Sequence, residues 1–184
     1  MLAVSFAAKA QSKLIFKDKF MYTDVQVFNE TKRHSIPSLI DTGCSLCIID
    51  SIFAIDSCGI KEDELQTIPI NQTKDKISSA FIDSIFFCGK TYHKVYCLVA
   101  DLTGHYQKYA PKFIVGANIL RSGAWKFDME KNIVEPYDSN NKAKGTIYKW
   151  KNHEDYPDVA IDYIILDSKV NGKKTRFAFD TGCR

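Results

Sequence analysis

The chain has 184 residues, 45% of them hydrophobic and 26% charged, with nine glycines and five prolines. That is the composition of a folded protein with room for one full domain and the start of another. Its formal charge of +3 is carried by scattered rather than clustered lysines and arginines, which argues against a nucleic-acid surface or an anionic membrane as partner, and no apolar run reaches the roughly 18 residues of a membrane span.

Residues 1–10 read as the end of a secretory signal peptide. Residues 2–8 are small and apolar, and Ala8-Lys9-Ala10 offers an A-x-A cleavage site after Ala10. The basic segment that normally precedes such a stretch is missing, so this reading places the true start upstream and expects export to a periplasm or to the medium. Residues 13–140 then read as one β-rich lobe. Residues 20–28 alternate between apolar and polar as a half-buried strand does, 29–34 are a polar turn, and 36–40 are a strand running into Asp41. Ile48, Ile49, Ile52 and Ile55 have helical spacing, which predicts a helix ending near Cys58-Gly59.

Residues 65–70 and 77–87 read as strands around a polar tip at 71–76, with a turn at Gly89-Lys90 and a further strand over 95–102. Residues 113–115 are a short buried strand ending at Gly116, and 118–122 a helical turn. Residues 125–128 and 133–134 make a last hairpin. From 136 to 145 the composition shifts to Asp, Ser, Asn, Lys and Gly, marking a linker taken as 141–155. Residues 156–184 then repeat the opening: a strand over 158–166, a turn at 170–174, and a strand over 175–179 that runs into Asp180. A domain-sized stretch separates the two aspartates, so the repeat unit is a whole lobe.

The six cysteines, at 44, 47, 58, 88, 97 and 183, fit no disulfide framework. Cys44-x-x-Cys47 has no second CxxC, and the four histidines lack ligand spacing, so most of the cysteines read as small apolar core residues and no metal site is expected. Asn29-Glu30-Thr31 and Asn71-Gln72-Thr73 match the glycosylation pattern, a weak signal in so short a motif.

The chemistry sits in the repeated tripeptide, Asp41-Thr42-Gly43 and Asp180-Thr181-Gly182. Two carboxylates at hydrogen-bonding distance cannot both ionise, so the pair holds one proton across an acidic range. The ionised member takes a proton from a water while the protonated member polarises a carbonyl. Thr42 is placed to brace the opposite loop, and Gly43 lets the chain turn sharply with its N–H toward a carboxylate.

Ile40-Asp41-Thr42-Gly43-Cys44-Ser45, followed by an apolar helix and then by Phe113-Ile114-Val115-Gly116-Ala117-Asn118-Ile119-Leu120, resembles the retropepsin-like aspartic peptidases. These are the retroviral proteases and their cellular and bacterial relatives. The resemblance covers about residues 20–135, and Gly123-Ala124-Trp125-Lys126-Phe127-Asp128 resembles the family's ending. It implies an all-β closed barrel lobe with one or two short helices, plus the first hairpin of a second such lobe at the C-terminal end. It also implies endopeptidase activity with Asp41 and Asp180 as the dyad, and Thr42, Gly43, Ser45, Gly116, Thr181 and Gly182 as loop support.

The family's flap, a hairpin closing over bound peptide, would fall on 67–79, with Asn71, Gln72, Thr73 and Lys74 at its tip. Water is the nucleophile, so no metal or organic cofactor is implied. The partner is a peptide or protein substrate, and the second aspartate comes from the second lobe or from a second copy of the chain. An inactive relative that grips extended peptide by strand addition is the remaining reading. Cys44 and Cys183 stand where the family commonly has alanine. Arg184 stands where the first copy has Ser45, and the second unit stops there without its own apolar-apolar-Gly strand, so the resemblance implies a longer chain with two facing lobes.

Overall fold

In the first hairpin, alternation along the chain decides which side chains turn inward. The computed structural model describes residues 10–69, 76–106, 110–137, 150–151 and 163–183. Short strands β1 (Ser12–Lys13) and β2 (Ile15–Lys17) lead into β3 (Phe20–Asn29), where Val25 and Val27 are fully buried and Asp24 is exposed. A turn at Glu30 and Thr31 leads into the antiparallel β4 (Lys32–Ile40), with Glu30 at φ 50°. The chain continues through β5 (Cys47–Asp50), a wide helical turn over Phe53–Ser57, a tighter one over Glu62–Glu64, β6 (Gln66–Pro69), β7 (Lys76–Phe87) and β8 (Lys90–Ala100). Helix α1 (Thr103–Tyr106), β9 (Phe113–Val115) and α2 (Ala117–Leu120) come next, then β10 (Trp125–Asp128) and β11 (Ile133–Pro136).

Strand order β3-β4-β9-β5-β8-β7, with β7 pairing back onto β3, closes a six-stranded barrel, and β2 and β6 extend it at the edges. Closure leaves no free edge along these six strands. Val25, Val27, Ile40, Ile49, Ile82, Ile85 and Phe113 fill the interior without exposure. β1, β11 and β10 form a separate small sheet whose Val134 joins the same core. The all-β expectation therefore holds. No helix among the described residues is long and apolar enough to cross a membrane.

The helix expected over residues 48–55 is corrected. Residues 48–50 are strand, held between β8, which runs parallel to them, and β9, which runs antiparallel. A strand paired on both sides is apolar throughout, and over so few residues its pattern matches helical spacing. The helical stretch that remains is a single wide turn with Phe53 and Ala54 buried, while Ile52 is 63% exposed. The turn expected over 29–34 shrinks to Glu30 and Thr31, because the ladder with β3 extends β4 back to Lys32.

Asn29 is buried and its Nδ2 donates to the Cys58 carbonyl at 3.2 Å, so in the folded chain that sequon serves packing. The Asn71 sequon lies outside the described residues, as does the signal-like stretch 1–9. Cys47, Cys58, Cys88 and Cys97 are buried in the core, as expected, and all are free thiols.

Beyond the barrel, β12 (Trp150–Lys151), β13 (Tyr163–Val170) and β14 (Lys173–Phe179) form a second sheet in the order β12-β13-β14. Trp150 and Lys151, read from composition as linker, pair with Ile164 and Tyr163, and Trp150 also packs on the barrel core. Polar neighbours hid a short strand anchored by one aromatic residue.

Asp50, at the end of β5, ties together the stretches that follow β5 and β8 and precede β9. It accepts from the Phe53 N–H at 3.0 Å and from the Leu102 N–H at 3.3 Å, and its own N–H donates to the Lys112 carbonyl at 3.0 Å. Asp50→Ala strands two buried N–H groups at about 1–3 kcal/mol each. It is expected to lose roughly 2–4 kcal/mol in urea unfolding, with amide-exchange protection falling first at Leu102 and Tyr106.

Candidate active site

The first acid is delivered by a fully buried strand end. Leu39 and Ile40 pair in parallel with Ile114 and Val115, and the Asp41 N–H continues the ladder to the Val115 carbonyl at 3.1 Å. The chain then turns through Thr42 and Gly43 and enters β5 on the far side of β9. β9 is thus threaded between the two legs of the loop.

Gly116, just past β9, lies so close to the Leu46 carbonyl that an added Cβ would overlap it. From there the Ala117 N–H donates to the Cys44 carbonyl at 2.7 Å and the Asn118 N–H to the Ser45 carbonyl at 3.1 Å. Ser45 supports the loop through its backbone. Asn118 braces the arrangement further, accepting from the Cys47 N–H at 2.8 Å and donating to the Tyr96 carbonyl at 2.9 Å. Neither Asn118 nor Asp50 was singled out from the sequence. The signal for Asn118 was a polar residue inside an otherwise apolar stretch.

The second acid arrives at the end of β14, and threonines lock the two turns together. The Thr42 N–H donates to Thr181 Oγ1 at 3.0 Å, and that hydroxyl donates to the Ile40 carbonyl at 2.7 Å. In return the Thr181 N–H donates to Thr42 Oγ1 at 3.1 Å, and Thr42 Oγ1 donates to the Phe179 carbonyl at 2.8 Å. Within each turn the glycine N–H donates to its own aspartate: Gly43 to Asp41 Oδ1 and Gly182 to Asp180 Oδ1, both at 2.8 Å. A side chain at Gly43 would occupy the place of the Asp180 carboxyl, and one at Gly182 that of Asp41. Only glycine leaves room for this close approach.

The structure thus brings Asp41, Thr42, Gly43, Asp180, Thr181 and Gly182 to one place, with Ser45 and Gly116 behind the first loop. β6 and β7 pair as the arms of the hairpin expected to form a flap, Gln66 opposite Ser79 through Pro69 opposite Lys76. Its tip residues Asn71, Gln72, Thr73 and Lys74 lie outside the described residues. Among the described residues, no group of three His, Cys, Asp or Glu side chains converges as a metal would require.

The two acids meet in unequal surroundings. Asp41 is 9% exposed, whereas Asp180 is exposed. Burial, then the neighbouring Asp180 charge and a hydrogen bond between the two carboxyls, push Asp41 up to about 6; the N–H groups of Gly43 and Cys44 pull the other way. Cys44 donates to the Leu46 carbonyl at 3.0 Å, and burial and the Asp41 charge push its thiol up to about 12. It stays protonated and is no nucleophile.

No protein-family description matches the chain, and no curated protein matches it. Among solved structures it is similar to a retropepsin-like aspartic protease from Rickettsia conorii, at 18% identity and a TM-score of 0.49, over 67% of this chain and 86% of that one. It is also similar to the retroviral protease-like domain of Ddi1 from Leishmania major, at 14% identity and a TM-score of 0.42, over 68% and 99%. Neither likeness assigns chemistry to this chain.

The raised Asp41 has a consequence for stability. The folded chain keeps that proton up to about pH 6, against an ordinary carboxyl value of 3.8. Between those values it binds more protons than the unfolded chain does, so stability falls as pH rises through the window. Asp41→Asn removes this dependence. In urea unfolding its stability relative to wild type is expected to increase by on the order of 3 kcal/mol from pH 4 to pH 7.

Proposed function

We propose that this chain is an aspartic-type endopeptidase in which Asp41 and Asp180 of one polypeptide activate a water against a peptide bond. The observation that carries this reading is the reciprocal hydrogen bonding of Thr42 and Thr181, which sets two Asp-Thr-Gly turns face to face with their carboxyls in contact. In the proposed reaction one carboxylate takes a proton from water as the water oxygen bonds to the carbonyl carbon. The other carboxyl gives its proton to the carbonyl oxygen, and a gem-diol forms. A proton then passes to the nitrogen as the C–N bond breaks. The 67–79 hairpin is the proposed flap over a bound peptide, residues 13–140 the first lobe, and 156–184 the opening of the second. The signal-like residues 1–10 support an exported setting.

Asp180 fills the place that Asp41 of a second copy would need, which favours the intramolecular pair over a symmetric homodimer. A protein that only gripped peptides would gain nothing from two acids in contact, one of them buried, since holding them together opposes ionisation.

Asp41→Asn and Asp180→Asn are each expected to lower kcat for peptide cleavage by at least about 10²-fold. Thr181→Val, which keeps the shape but loses two hydrogen bonds, should lower it roughly 10- to 100-fold by misplacing the acids. Cleavage by the wild type should decline above about pH 6, where the shared proton leaves Asp41. Unchanged cleavage in both asparagine variants, assayed with a mixed peptide library by mass spectrometry, would overturn the proposal.

A further inference from the structure

One pair of cysteines sits at the root of the first loop and takes no part in the proposed chemistry. Cys47 opens β5, the strand by which the chain leaves the Asp41 turn, and Cys97 stands directly opposite it on the parallel strand β8. Neighbouring strands run about 4.7–4.9 Å apart, inside the roughly 4.4–6.8 Å between α-carbons that a disulfide spans. Partners in register put their side chains on one face, and here that face is the barrel interior: both cysteines are fully buried in its core. The two thiols share a hydrogen bond. On its other side Cys97 pairs with Ala80, whose methyl group occupies little of the space around the sulfurs.

The other cysteines are engaged elsewhere. Cys88, at the β7–β8 turn, donates to the Val134 carbonyl at 3.7 Å. Cys44 donates to the Leu46 carbonyl and packs on a separate apolar cluster, and Cys183 follows the second acid. Cys58 shares the core and its charge is felt at Cys97, but it follows the wide turn and no strand pairing holds it opposite. The Cys47 sulfur accepts the Gly116 N–H at 3.4 Å, and the Cys47 N–H donates to Asn118 Oδ1, whose Nδ2 reaches the Tyr96 carbonyl next to Cys97. Asn118 thus already clips β5 to β8 at this level by hydrogen bonds alone.

We propose that Cys47 and Cys97 form a disulfide when the chain folds in an oxidising medium, tying the exit leg of the Asp41 loop covalently to β8. The reaction is thiol–disulfide exchange with a small disulfide such as oxidised glutathione. One cysteine, as its thiolate, attacks a glutathione sulfur; a mixed disulfide forms and one glutathione thiolate leaves. The second cysteine loses its proton and attacks the protein sulfur of that mixed disulfide, releasing the other glutathione. Two protein thiols are oxidised, one glutathione disulfide is reduced to two thiols, and the two protons end on the glutathione sulfurs. The hydrogen bond with Cys47 and then burial push the Cys97 thiol well above its ordinary value, and neither residue is exposed in the closed barrel. Closure therefore belongs to folding, before the barrel seals. Afterwards the bond is shielded from reductant as the dithiol is from oxidant, so it acts as a staple and not as a switch. The exported setting proposed above supplies such a medium, and a reducing compartment leaves the pair as thiols. None of this depends on the peptidase reading.

For the test, the full chain is unfolded and reduced in guanidinium, then refolded in parallel in a mixture of reduced and oxidised glutathione and in dithiothreitol. The monomeric fraction is unfolded again with iodoacetamide, digested without reduction and mapped by mass spectrometry. The glutathione sample is expected to give one dominant linked peptide pair, Cys47 with Cys97, and the dithiothreitol sample six alkylated cysteines. The linked form should melt roughly 5–10 °C higher. Cys47→Ala and Cys97→Ala should each abolish both the link and the difference in melting, and Cys58→Ala neither. Cys47 and Cys97 both alkylated after glutathione refolding, a link from Cys97 to Cys58 in their place, or a chain that folds only in dithiothreitol would each defeat the proposal. Should an alanine variant not fold, the wild-type map decides alone. No readout involves peptide cleavage, so the proposed function stands or falls on a separate measurement.

Discussion

Two threonine hydroxyls, each accepting from the opposite backbone and each donating onward to the opposite strand end, are the interaction on which the rest of this site depends. Every polar atom in that exchange has a partner, and in a partly buried setting such chained bonds polarise one another. The exchange fixes the separation of two backbone turns, and the turns fix the carboxyls. Hydroxyl and glycine are needed for separate reasons: the hydroxyl spans the gap, and the missing side chain permits the gap to be that small. Neither residue does chemistry, yet without both the acids would stand apart.

The barrel supplies what the exchange cannot, a rigid and dry seat for one acid. β9 lies between the legs of the first loop, parallel to β4 and antiparallel to β5, and Asp50 and Asn118 close the ring of backbone contacts around it. The second loop rests on a three-stranded sheet with an exposed apolar face.

Much of this was legible in the residues. The apolar run that ends in Asp41 is a strand because both of its faces are covered near the barrel's closure, and the run that ends in Asp180 pairs as the last strand of the second sheet. Phe113-Ile114-Val115-Gly116 announced a buried strand stopped by a close approach. The limits were equally physical. Ile48 to Asp50 read as helix because a short all-buried strand has no alternation to display. Asp50 and Asn118 act through distant partners, Leu102 and Tyr96 among them, and one-dimensional spacing carries no trace of such contacts. Trp150 was concealed by polar neighbours on both sides. The acid pair was visible as two motifs, whereas their meeting through the threonine exchange required the fold.

The threading of β9 also bears on biogenesis. The first loop cannot settle until a strand translated far downstream of it slots between its legs, and non-local pairings of this kind form slowly. The second acid is made later still, after the whole barrel has left the ribosome. If the pair acts as proposed, a nascent polypeptide stays inert while the barrel is being made, and the acids meet only after the fold that holds the first of them.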